Sequence, residues 1–336
     1  MPEIGYAFSC EEHRPNDLVR HARLAEEAGF TFGLISDHFH PWVDAQGESP
    51  FVWSVIGGIA QATERFRIGT GVTCPLIRIH PAIVAQAAAT CAAMMPGRFF
   101  LGVGTGENLN EHVTGVGWPA PDERVAMLEE AIEVMRELWE GDVTTFRGDW
   151  YEVDHARIYT LPEEPLEVYV AAAQPRMAQL AGDLGDGLIS VLPDADLVRI
   201  FEDAGGSGVG STEPPKSAGG GLAGAGAGRA KPKVGMMHGC WGADRDACLK
   251  TMHEIWPNGG LKGPLGADLR EPADFEEAAQ MVRPEDLADD PLGPDPGPWL
   301  EQIQAYEDAG FTHVYLHQVG PDQEGFIEFA QRELLP

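Results

Sequence analysis

Phe32-Gly33-Leu34-Ile35-Ser36-Asp37-His38-Phe39-His40-Pro41-Trp42 joins a four-residue apolar run to an acid, two imidazoles and an indole within one turn. The run reads as a strand. It follows an amphipathic stretch, 16–27, whose Leu18, Ala22, Leu24 and Ala25, with Ala28 just beyond, fall near helical spacing and stop at Gly29. A helix that ends on glycine and feeds a short apolar strand is a building block of parallel α/β folds. In those folds the loop beyond the strand's carboxyl end carries the chemistry. Asp37, His38 and Trp42 are therefore the first candidates for function.

The same rhythm runs along the chain. Strands are expected at 4–8, 32–35, 66–72, 98–103, 168–172, 187–192, 234–238 and 312–317. Helices are expected at 16–28, 51–63, 81–95, 122–140, 175–184, 194–204, 244–255 and 297–309. Eight strands alternating with helices in 336 residues predict one (β/α)8 TIM barrel over 1–336, with insertions after strands 4, 6 and 7. Glu26-Glu27-Ala28-Gly29-Phe30-Thr31 and Glu307-Asp308-Ala309-Gly310-Phe311-Thr312 echo each other, each placing glycine where a helix turns back into the sheet. Phe146 to Tyr151 reads as a turn between two inserted strands. Residues 205–230, rich in Gly, Ala and Ser, are expected to form a mobile loop, and 257–296, dense in Pro, Gly and Asp, an irregular excursion.

Composition narrows the partners. The formal charge is −30, from 53 acidic and 23 basic residues, and only five lysines occur, all in the second half. That sign opposes nucleic acid and anionic membranes and suits a surface adapted to high salt, so a halophilic source is expected. No apolar run approaches the length of a spanning helix, and the first residues lack a signal-like core. Five cysteines without CxxC spacing fit free thiols in a reducing cytoplasm.

Three further segments fall at expected strand ends. Gly69-Thr70-Gly71-Val72-Thr73-Cys74-Pro75 has residues small enough for a flat ring to lie against the backbone. Gly102-Val103-Gly104-Thr105-Gly106-Glu107-Asn108-Leu109-Asn110-Glu111 is a glycine-rich turn followed by a carboxylate; its GxGxG spacing is not the GxGxxG of a dinucleotide fold. Ala171-Ala172-Ala173-Gln174-Pro175 leads into a helix whose free N–H groups suit a phosphate.

Together with Thr73-Cys74-Pro75, Arg78 and Pro81-Ala82-Ile83-Val84-Ala85-Gln86, these segments resemble the coenzyme F420-dependent dehydrogenases of the luciferase-like superfamily. That group includes glucose-6-phosphate and secondary-alcohol dehydrogenases. The resemblance covers 1–190 in motif and the remainder in outline. It implies an 8-hydroxy-5-deazaflavin at the carboxyl rim of the barrel, backed by a bulge with a cis bond between Gly71 and Val72, and a homodimer. It implies His38 as acceptor of the substrate's hydroxyl proton, Glu107 as an acid/base partner and Trp42 as a stabiliser of developing charge. The cofactor is expected against Asp37, Gly71, Val72, Cys74, Gly106, Asn110, Ala171, Ala172, Ala173 and Gln174.

Departures from the sugar-phosphate members point to the substrate. Where those members carry phosphate-clamping cations, this chain aligns Asp194, Gly266 and Asp290, leaving Lys262 or Arg270 as possible replacements. An uncharged secondary alcohol or sugar hydroxyl is expected instead, with Trp241, Trp256 and His40 lining its pocket. Three rival readings share some residues: an FMN-dependent monooxygenase on the same barrel, a non-catalytic flavin or deazaflavin binder, and a metal hydrolase built on His38-x-His40. The last lacks further ligands at later strand ends, so no metal is expected.

Overall fold

The computed structural model describes residues 1–208, 230–261, 263 and 265–336. Most of the loop expected at 205–230, together with Lys262, lies outside the described residues. The first half runs β1 (Glu3–Phe8), α1 (Pro15–Ala28), β2 (Phe32–Ile35), α2 (Val52–Ala62), β3 (Arg67–Thr70), α3 (Pro81–Met94), β4 (Phe99–Val103), α4 (Asn108–Glu111) and α5 (Pro121–Trp139). A hairpin of β5 (Thr144–Arg147) and β6 (Glu152–Ala156) follows, then β7 (Val168–Ala171), α6 (Pro175–Leu184), β8 (Gly187–Ser190) and α7 (Ala195–Phe201). The chain continues through β9 (Lys233–Gly239), α8 (Arg245–Ile255), α9 (Leu265–Asp268), α10 (Pro272–Ala279), α11 (Gly297–Asp308), β10 (His313–Gln318) and α12 (Gln323–Glu333).

Eight strands close into a parallel barrel in the order β1-β10-β9-β8-β7-β4-β3-β2, with the β5–β6 hairpin outside it. The two echoed glycines do the work expected of them. Gly29 and Gly310 sit at φ 108° and 93°, and the Gly29 N–H closes α1 onto the carbonyls of Ala25 and Glu26. The excursion after β9 is less irregular than its composition implies. Its α10 starts at Pro272 and buries Phe275 and Ala278.

The final helix, α12, was not expected from the sequence. Phe326, Ile327, Phe329 and Ala330 form its buried face, and burying each Phe contributes about 1.5–3 kcal/mol over exposure. Gln323 at its start accepts from the Tyr6 hydroxyl and donates to the carbonyls of Gln318 and Gly320, which ties the helix to β1 and β10.

Candidate active site

Side chains alternate across a strand, so the apolar column inside the barrel identifies which residues face its axis. Ala7, Phe32, Leu34, Phe100, Tyr169, Ile189, Val234 and Tyr315 make up that column. One step further toward the carboxyl ends come Gly71, Gly104, Ala171, His238 and His317. The mouth of the barrel thus has two unlike halves. Over β3, β4 and β7 the inward positions are nearly bare. Over β9 and β10 they are imidazoles.

The bare half is a shelf. Half-buried Val72, Ala171 and Met236 pack on the top of the apolar column. A Cβ on Gly104 would come within 2.8 Å of Val72 Cγ2 and 3.5 Å of Ala171 Cβ. β3 is interrupted here: the Gly71–Val72 bond is cis, and pairing with β4 resumes between Thr73 and Val103. The Thr73 N–H donates to Gly102 O at 2.9 Å, and the Gly104 N–H to Thr73 O at 3.1 Å. An apolar floor with no side chain rising from it fits a flat heterocycle, and the exposed, uncapped start of α6 at Gln174 fits an anionic tail.

The polar half begins with the loop after β2. His38 Nδ1 lies 3.2 Å from Glu11 Oε1 and 3.2 Å from the carbonyl of His40. A carbonyl only accepts, so Nδ1 carries the proton and Nε2 presents a lone pair. Glu11 is buried, and its other oxygen accepts from Ser36 at 2.7 Å and Ser9 at 2.9 Å. Trp42 packs against the His38 ring at 4.8 Å between centroids and meets Phe275 of α10 at 5.1 Å. Across the β1–β10–β9 rim, Glu12 accepts from His317 Nε2 at 2.7 Å, and His317 Nδ1 faces His238 Nδ1 at 2.9 Å. Trp256 packs tilted against the His238 ring at 5.1 Å and edge-on to the His317 ring at 4.6 Å. Although burial pushes the Glu12 carboxyl up, His317 and the Gly320 N–H hold it below its ordinary range, while burial beside His317 pushes His238 down to about 3.

Arg78 joins the halves. It bonds Asp37 Oδ1 at 2.8 Å and lies 3.6 Å from Glu111 Oε1, and all three side chains are nearly inaccessible. Glu111 also accepts from the N–H groups of Ile77 and Arg78, yet burial still raises its carboxyl above the usual range. Asn110 Oδ1 receives the N–H groups of Phe39 and His40, which fixes the loop after β2 against α4.

The chain as a whole is similar to known proteins. Residues 3–313 match the luciferase-like monooxygenase family. The chain belongs to that family. This luciferase-like protein is 36% identical to the F420-dependent glucose-6-phosphate dehydrogenases of Nocardia farcinica (99% of this chain, 97% of the relative) and Intrasporangium calvum (100% and 98%). It also matches the structure of an F420-dependent secondary alcohol dehydrogenase holding an F420–acetone adduct, with TM-score 0.86 and 30% identity over 99% of this chain and 98% of the other.

Within this luciferase-like barrel the expected site residues separate. His38, Trp42, Gly71, Val72 and Ala171 sit at the mouth. Glu107, half-buried, opens α4 next to Glu111, and Ala173 and Gln174 are exposed at the start of α6. Four expected cofactor contacts are enclosed instead. The Asp37 carboxylate is held by Arg78 and by Thr73 at 2.8 Å, so its part is to position the loop. Cys74 is buried beneath Gly106, where a Cβ would strike its Sγ. Asn110 and Ala172 are buried as well. Of the expected pocket lining, Trp256 is buried against His238 and His317. Trp241 stacks on Phe329 of α12, outside the barrel wall, and His40 turns away to the Leu109 carbonyl at 2.9 Å and stacks on His112. His38 and His40 thus use their Nδ1 atoms for different partners. Among the described residues, no group of three His, Cys, Asp or Glu side chains is placed to hold a metal ion.

The sequence reading missed Glu11, Glu12, His238 and His317. The signal was present: two strands end on histidine, and two acids follow the first strand just as His38 follows the second.

Proposed function

We propose that this protein is a coenzyme F420-dependent oxidoreductase that moves a hydride between an uncharged secondary alcohol or sugar hydroxyl and the deazaflavin. The observation that carries the reading is the Glu11–His38 pair at the same end of the barrel as a bare apolar shelf. The relatives named for F420 lend it support.

When bound, F420 supplies a ring carbon that takes up or returns a hydride. The protein's own residues do the rest. Val72, Ala171 and Gly104 would hold the ring, and Ala173 and Gln174 its tail. His38 Nε2 accepts the hydroxyl proton as the alcohol is oxidised, and Glu11 stabilises the resulting imidazolium from the opposite nitrogen. Trp42 keeps that ring in place and walls off water, and Glu107 serves as a second acid/base group on the shelf side.

Asp194 argues against a phosphorylated sugar. It caps α7 by accepting the N–H groups of Asp196 at 2.8 Å and Leu197 at 3.2 Å. A carboxylate therefore occupies a helix start that would otherwise attract an anion. Arg270 and Gly266 offer no compensating buried cation, and half-buried Asp290 has its carboxyl raised to about 6 by burial and Asp289.

Anaerobic titration with F420 in high salt, followed by neutral alcohols, sugars and sugar phosphates, tests the reading through loss of deazaflavin absorbance. Bleaching with a neutral substrate is expected. A co-purifying flavin with oxygen consumption overturns the cofactor, and bleaching by glucose 6-phosphate alone overturns the substrate. The −30 charge supports a salt-adapted cytoplasmic chain, and family likeness a homodimer; light scattering at low and molar salt tests both.

A further inference from the structure

One alcohol oxidation releases one proton, and His38 with Glu11 suffices to receive it. The mouth nevertheless holds a second imidazole backed by an acid. Glu12, an acceptor with its other oxygen on the Gly320 N–H at 3.0 Å, requires His317 Nε2 to carry a proton. In the neutral pair, His317 Nδ1 is then the acceptor, His238 Nδ1–H donates to it, and the lone pair of His238 Nε2 points outward. His238 is half-buried, and its Nε2 has no hydrogen-bond partner among the described residues. It stands one inward step above Met236 of the shelf. Trp256, packed against its ring, belongs to the same apolar cluster that Trp42 packs against. His238 and His38 thus both pack against the aromatic cluster of Trp256 and Trp42 at the carboxyl ends of the strands.

We propose that His238, oriented by His317 and Glu12, is a second polar subsite of the substrate pocket. It takes a hydroxyl other than the reacting one, so the substrate class is a neutral polyhydroxy compound, a diol or sugar, in preference to a simple alkanol. The inference rests on the proposed oxidoreductase reading and deepens it. The subsite adds no fixed positive charge, because Glu12 faces His317 and His238 stays neutral through burial, which suits an uncharged oxygen and not a phosphate. His317 and Glu12 touch no substrate in this scheme and are positioning residues.

The test compares 1,2-cyclohexanediol with cyclohexanol, two probes that differ by one hydroxyl, in the F420-loaded enzyme. The wild type is expected to show a higher kcat/KM for the diol. In His238→Leu the diol-to-monoalcohol ratio should fall about 10- to 100-fold, the range for a lost buried hydrogen bond. His238→Gln, which keeps a polar tip, should restore part of the ratio. A wild type without preference, or a ratio unchanged in His238→Leu whatever the absolute rates, overturns the proposal.

A second measurement stands apart from turnover. In cofactor-free protein, the imidazole 15N spectrum should report His238 with its proton on Nδ1, and the diol should shift Nε2 more than cyclohexanol does. Equal or absent shifts overturn the subsite. Loss of F420 binding in a titration of the wild type strikes only the cofactor reading.

Discussion

The two halves of the barrel mouth are built by opposite means. The shelf over β3, β4 and β7 is made by leaving side chains out: Gly71, Gly104 and Ala171 expose backbone and a thin apolar floor. The rim over β2, β1, β10 and β9 is made by putting side chains in: His38 and His317 are each held by an acid, His238 by His317, and an indole lies against each ring. A surface of absences accepts a large planar group. A surface of fixed lone pairs chooses among small ones.

That division sets the expected effects of substitution. The largest falls on the rim: His38→Ala should lower turnover about 10²- to 10⁴-fold while deazaflavin titration still shows binding. Equal loss of binding and turnover would mean that the halves are not separate. Next comes the link between them. Arg78→Met leaves the Asp37 and Glu111 carboxylates buried without their cation, and should cost about 3–5 kcal/mol in a denaturant titration, damaging both functions at once. On the shelf, Gly104→Leu overfills the space between Val72 and Ala171 and should weaken F420 binding about 10- to 100-fold. The His238 15N signal should stay where it is.

The smallest effect is a pH dependence. His21 is held down to about 4 and His238 to about 3, in both cases first by burial. Between the ordinary value of 6.5 and those folded values the unfolded chain binds protons that the folded chain does not. The stability from keeping these rings neutral is thus full above pH 6.5 and lost as pH falls toward 4 and 3. A drop in melting temperature on the order of a few degrees over that interval is expected, and His21→Leu should flatten it. A flat profile in the wild type would contradict the burial of these rings.

The barrel was legible because its strands are short apolar runs punctuated by glycine, and local pattern is enough for that. Boundaries shifted by a few residues where pairing decides the end: β3 stops at Thr70, because the chain bulges at Gly71–Val72 before pairing again. The site was legible where chemistry is crowded in one turn, as at 36–42. It was not legible where it is assembled across the barrel, since Glu12, His238 and His317 meet only through the β1–β10–β9 neighbourhood. Burial was the other hidden variable. Asp37 and Cys74 have the right residue types for a surface contact, but packing encloses them.

Arg78 also governs a length. The loop bearing His38 and the loop bearing the glycine turn hang from different strands, and strand spacing alone would let their tips drift apart. One guanidinium held between Asp37 and Glu111 acts as a gauge block across that gap. It gives the interval between the apolar shelf and His38 a tolerance set by a few rigid contacts instead of by the whole barrel.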